Sequence, residues 1–305
     1  MQKVVTPAVS TAVLEHGYDR VAGFVVRAAD VAFATTPAQL FVAHGLGFPA
    51  TPFGPDAPHV DVLRFPAAAQ LRFEDAVGGT DEASRRRTGG SFVDRPPFTG
   101  TGFVAVPDEV VPLYWLVHSR VPAGSELVRV HADGSSSVLA RFADVGHGWV
   151  VEDAGSGRPG TPPLSRFVGP MALWHDEYVA ADVLPDGTVV LATPPGRTPA
   201  LDGFVTVAGG RGRREVARAE VEELFELDVS ASWGPLQVRV VDQWTDADGE
   251  PRARVAYTGH DADLAEQLGL EKLDAAVYEA TVPMGSLRDV TPARLVPESW
   301  GTATV

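Results

Sequence analysis

Cysteine is absent from this chain of 305 residues. That excludes disulfide bridges, thiolate nucleophiles and cysteine-held metals. Lysine is almost absent: Lys3 and Lys272 are the only two, and arginine supplies the rest of the positive charge. Acidic residues outnumber basic ones 40 to 25, a net charge of −15 at pH 7. Nucleic acid and anionic bilayers are both negatively charged, so this balance predicts no broad contact with either. No apolar run is long enough to form a membrane-spanning helix. The opening MQKVVTPAVSTAVLEHGYDR holds one lysine and no long apolar core, which predicts no secretory leader and a cytoplasmic location. No Walker loop, dinucleotide fingerprint, HExxH or G-x-S-x-G elbow occurs.

What is present is a chain that is 45% hydrophobic and 21% charged. That composition folds, and the length suits two domains. GFVVRAADVAF (23–33) opens as a strand. TTPAQLFVAHGLG (35–47) has both helix end signals: Thr36 as N-cap, Pro37 at the first helical position, Gln39 at the capping-box position and glycines at the exit. HVDVLRF (59–65) reads as a strand with Val60 and Val62 on one face and Leu63 and Phe65 on the other. AAAQLRFEDAV (67–77) is expected to be helical, as is EVARAEVEELF (215–225). FELDVSASW (225–233) alternates strictly, the pattern of a half-buried strand.

Three hairpins follow from Asp-Gly pairs set between valine-rich runs: 126–142 around Asp133-Gly134, 178–193 around Asp186-Gly187, and 236–259 around Asp248-Gly249. The expected fold is therefore α+β, mostly antiparallel β-hairpins with a few short helices, in partly open barrel-like modules. The linker-like stretch ATPPGRTPALDG (192–203) divides a larger domain, 1–195, from a smaller one, 203–305. The tail VTPARLVPESWGTATV, with two prolines, is expected to lie on the surface or fray.

Chemistry-bearing residues are sparse. His260, Asp261 and Asp263 crowd together in YTGHDADLAEQLGL and are the metal candidates, but three residues within four positions do not all point at one ion; the expected reading is a helix start, with Asp261 as its cap, Asp263 favoured at the positive helix end and no metal. No cofactor is read from these residues. His147 follows Gly146 as His260 follows Gly259, so the two histidines stand at matching places after two hairpins, and His147 is a catalytic candidate. The glycine-rich stretch 78–102 carries Arg85, Arg86 and Arg87, with Phe92 and Phe98 downstream, a basic and apolar set suited to a protein partner.

One short stretch resembles a known family. Arg27 in VVRA, with Thr35 and Thr36 just after it, is similar to the arrangement in mono-ADP-ribosyltransferases, which hold NAD with a first-strand Arg, a Ser/Thr motif and a later catalytic Glu. The resemblance spans only Arg27 to Thr36. It implies Arg27 on the pyrophosphate, the Thr35 hydroxyl near the ribose, and Glu74 or Glu126 as the carboxylate. Three functions thus stand: a non-enzymatic interaction or accessory protein, an NAD-using transferase, and a metal-assisted hydrolase drawing histidines from both halves.

Overall fold

The computed structural model describes residues 1–48, 50–78, 92–93, 100–107, 109–152, 159–196 and 203–300. The first half runs β1 (Gln2–Val5), α1 (Pro7–His16), β2 (Arg20–Val25), α2 (Pro37–Ala43), β3 (His59–Arg64), β4 (Phe73–Asp75), β5 (Phe92–Val93), β6 (Phe103–Val106), β7 (Glu109–Pro112), β8 (Tyr114–Arg120), β9 (Ser125–His131), β10 (Ser136–Asp144) and β11 (Gly148–Val151). The second half runs β12 (Pro170–Trp174), β13 (Glu177–Val183), β14 (Val189–Thr193), β15 (Val205–Thr206), β16 (Gly212–Val216), β17 (Glu223–Trp233), β18 (Leu236–Thr245), β19 (Pro251–Tyr257), β20 (His260–Asp261), α3 (Ala262–Gln267), β21 (Glu271–Asp274), β22 (Val277–Pro283) and β23 (Arg288–Leu295). The fold is α+β and dominated by antiparallel sheets. No sheet among the described residues closes into a full barrel.

In the first half, a five-stranded sheet, β1-β3-β9-β10-β11, lies beside a three-stranded one, β2-β8-β4. A single two-way backbone bridge between Gln2 and Val26 joins them, which makes an open, barrel-like wall. Both faces of β3 are buried, as its alternation predicts. Val60 and Val62 enter one core with Val4, Phe24 and Trp115, while Leu63 enters a second with Val13, Leu116 and Leu127. Each such aliphatic side chain contributes about 1.5–3 kcal/mol by leaving water.

The second half centres on β17. Glu226 of β17 pairs with both Pro170 of β12 and Leu295 of β23, so these two strands flank β17 on opposite sides. Ser230 pairs with both Arg239 of β18 and Thr291 of β23. Strands β12 and β18 therefore share one edge of β17, each taking half of it. The eleven-stranded sheet splits there into two wings, β15-β16-β14-β13-β12 and β18-β19-β22-β21. Strands from both sides of residues 195–203 belong to this one sheet, since β14 pairs with β16 over five residues.

Buried arginines hold the halves together. Arg239 of β18 meets Glu226 at 2.8 Å, with both side chains 3% exposed, and donates to the His118 carbonyl in β8 at 2.7 Å. Arg120 of β8 meets Asp182 of β13 at 3.0 Å.

Several local expectations change. Residues 67–77 form no helix; Phe73–Asp75 is β4, paired with β8. Residues 215–225 hold a single 3₁₀ turn, Arg218–Glu220, before β17 begins. Tertiary pairing outweighs helix propensity in both places. The tail lies on the surface over Arg288–Leu295, as expected, but as an exposed strand, β23, paired with β17.

Candidate functional site

Helix α1 begins where Thr6 accepts from the Val9 amide and Pro7 takes the first helical position. It ends at Gly17, whose left-handed φ of 68° turns the chain back, with the Gly17 and Tyr18 amides bonding the Val13 and Ala12 carbonyls. A Cβ at Gly17 would meet the Gly160 carbonyl oxygen at 2.2 Å, so only glycine fits. The turn delivers Tyr18, whose carbonyl accepts from the Trp149 indole N–H at 2.8 Å.

Below α1 lies a cavity of about 220 Å³. Its walls are apolar: Val5, Val9, Ala12 and Val13 from β1 and α1, Val21 and Leu63 from the sheets, Leu127, Trp149, Leu273 and Val277. Its polar lining is Lys3, Thr6, Tyr18, Arg20, His118, Arg254, Asp274 and Glu279. These come from both halves of the chain.

Glycine makes this junction possible. Strand β2 has a register shift at Gly23, whose φ is 89°. A Cβ there would sit 2.6 Å from Val277 Cγ2. Without one, the turn between β21 and β22 reaches into the first core, where Ala275, Ala276 and Val277 are buried. Lys3 Nζ fastens it, at 2.8 Å from Asp274 Oδ2 and 3.0 Å from the Phe24 carbonyl.

Deeper in, His118 Nε2 lies 2.9 Å from Glu279 Oε1, and Arg254 Nη1 lies 3.1 Å from Oε2. Burial pushes the Glu279 carboxyl up. The hydrogen bond from His118 and the charges of His118, Arg254 and Arg20 outweigh that and hold it below the ordinary glutamate range. Burial, reinforced by the nearby Glu279 charge, pushes the Tyr18 hydroxyl well up, so it stays a hydrogen-bond donor. No Ser or Thr hydroxyl bonds to His118 among the described residues. The arrangement can bind and orient a small molecule; no nucleophile is presented to it by a base.

The residues singled out by sequence lie elsewhere. Arg27 follows β2 and stands over the Tyr114 ring, 5.1 Å from its centroid. Thr35 and Thr36 bond Gln39 at the start of α2, with Thr36 completing the capping box. Glu126 pairs with Arg141. Glu74, on β4, lies 3.2 Å from His260 Nε2. His260 begins the parallel pairing of β20 with β5, where it stands opposite Phe92, and its ring packs edge-on against Trp115. Asp261 caps α3 by accepting from the Leu264 amide, and Asp263 sits in its first turn. Among the described residues no three His, Asp or Glu side chains converge to hold a metal. His147 Nδ1 lies 3.0 Å from Asp144, which also holds Arg213, so the two Gly-His pairs occupy different surroundings. Arg85, Arg86, Arg87 and Phe98 fall outside the described residues.

Sequence reasoning missed the cavity. Its one local signal was TPAVSTAVLEHG, which repeats the Thr-Pro start and Gly stop read for α2. The meeting of His118 with Glu279, 161 positions apart, left no local trace. No helix of the described residues is long and apolar enough to cross a membrane. Comparison with known proteins finds no matching family model, no matching curated protein and no matching solved structure.

Proposed function

We propose that this chain is a non-enzymatic accessory protein that binds a small molecule in the cavity beneath α1. The cavity itself carries this reading: apolar walls with a few convergent polar groups are the usual build of a ligand site. The ion pairs around it are already made, so the site is preorganised. Among the described residues no three His, Asp or Glu side chains gather to hold a metal, and His118 in the cavity is engaged by Glu279.

Calorimetric titration with tetralin, a rigid bicyclic hydrocarbon of suitable size, tests it. The parent binds measurably. Ala12→Phe, which projects a ring from α1 into the space, binds at least tenfold more weakly while keeping its unfolding temperature. Equal binding by the two proteins, or none by the parent, would overturn the reading.

A further inference from the structure

The cavity's hydrogen-bonding groups are unevenly spent. Each carboxylate oxygen of Asp274 and Glu279 already has a donor: the Ala275 amide and Lys3 for the first residue, His118 and Arg254 for the second. The donors are not used up to match. Arg254 commits only Nη1, which lies 3.1 Å from Glu279 Oε2. Its Nε and Nη2 have no hydrogen-bond partner among the described residues. In a guanidinium those two N–H groups lie parallel and form the edge that receives a carboxylate side-on. A guanidinium is always charged and only donates, so an acceptor completes this edge, and an anionic one does so best.

Charge in the lining favours the same partner. Lys3, Arg20 and Arg254 stand there as three cations against two carboxylates, Asp274 and Glu279. Asp19 and Asp242, whose charges act on Arg20, lie outside the lining. An excess of one positive charge suits a monoanion. The Arg254 side chain is 39% exposed and that of Glu279 only 5%, so the free edge stands at the cavity mouth. Val9, Ala12, Val21 and Trp149 offer an apolar surface within reach of it.

We infer that the cavity takes an amphipathic carboxylate, with its apolar body against the walls beneath α1 and its head on the Nε–Nη2 edge of Arg254. The inference rests on the proposed binding function and specifies its ligand class. Arg254 is a binding residue in this account. Glu279 fixes its guanidinium through Nη1 and leaves the other edge to the ligand.

Three probes of one shape and different charge test it: tetralin-2-carboxylate, the neutral tetralin-2-carboxamide, and 2-aminotetralin as its ammonium. Calorimetry on the full chain at pH 7 is expected to rank the carboxylate above the amide by about five- to tenfold, the gain of a charge-assisted over a neutral hydrogen bond. The ammonium is expected to bind most weakly. Arg254→Gln keeps an N–H for Glu279 but loses the charged edge, and should erase the carboxylate's advantage while leaving amide affinity unchanged. A salt series on the parent needs no variant: between about 50 and about 500 mM the carboxylate's advantage should fall by about half or more, with amide affinity steady. Ala12→Phe should weaken all three probes. With tetralin still bound by the parent, equal binding of carboxylate and amide, or a preference for the ammonium, would overturn this inference and leave the binding function standing. A carboxylate preference that survives Arg254→Gln or Ala12→Phe would do the same. Failure of tetralin and all three probes to bind would overturn both.

Discussion

The buried imidazole of His44 is held neutral by its surroundings. Gln2 Oε1 accepts from Arg64 Nε, which turns the Gln2 amide nitrogen toward His44 Nε2 at 3.1 Å, so that ring nitrogen must accept. Burial, helped by the nearby Lys3 charge, lowers the His44 pKa from 6.5 to about 3. A group depressed on folding stabilises above its unfolded pKa and loses that contribution as pH falls toward the folded one. Between pH 6.5 and pH 3 the unfolded chain binds the extra proton, so stability drops by up to about 1.4 kcal/mol per pH unit from this group. Asp182 acts oppositely: burial, opposed by Arg120, raises it to about 6, so its contribution is present below its unfolded pKa and lost as pH rises through 6. Urea unfolding of the parent and of His44→Gln at pH 7 and pH 5 isolates the histidine. The parent should lose more stability than the variant; parallel losses would mean that His44 is not held neutral. Buried charge also sets the size of single-residue effects. Arg239→Met strands the Glu226 carboxylate and is expected to cost about 3–5 kcal/mol. Arg141→Met, at an exposed pair, should cost less than about 1 kcal/mol by the same denaturation measurement.

Helix α1 is the element that makes the site, and its two ends are where it is vulnerable. Thr6→Ala removes the N-cap acceptor and should lower stability by about 1 kcal/mol. Gly17→Ala meets both a left-handed φ and the Gly160 carbonyl, so it should cost more than Thr6→Ala and displace Tyr18. Thermal unfolding of both variants checks the order; an unperturbed Gly17→Ala protein would contradict the described exit turn. The same end signals show what was legible in the chain. Thr36, Pro37 and Gln39 define α2 without ambiguity, and the Asp-Gly hairpins at 133–134, 186–187 and 248–249 all form because turn chemistry is local. Residues 67–77 and 215–225 misled because strand partners, Tyr114–Leu116 and β12, lie far away in sequence and decide their conformation. The cavity was illegible for the same reason: Lys3 and Asp274, or His118 and Glu279, become neighbours only once two sheets are in place.

At the scale of the whole molecule, β17 and the buried arginines govern behaviour. Because β14 pairs with β16, and Arg239 bonds both Glu226 and the His118 carbonyl, the two halves are expected to unfold together. Calorimetry should show a single transition; two well-separated transitions would instead match independent units over 1–195 and 203–305. The cavity depends on this union, since α1 supplies one wall and the β21–β22 turn another. The most direct test of the binding account is a heteronuclear NMR titration of the full chain with tetralin. Saturable shifts should centre on Ala12, Tyr18, His118, Trp149 and Val277, and should vanish in Ala12→Phe. Shifts centred on another surface, or no saturable shifts at these residues, would contradict it.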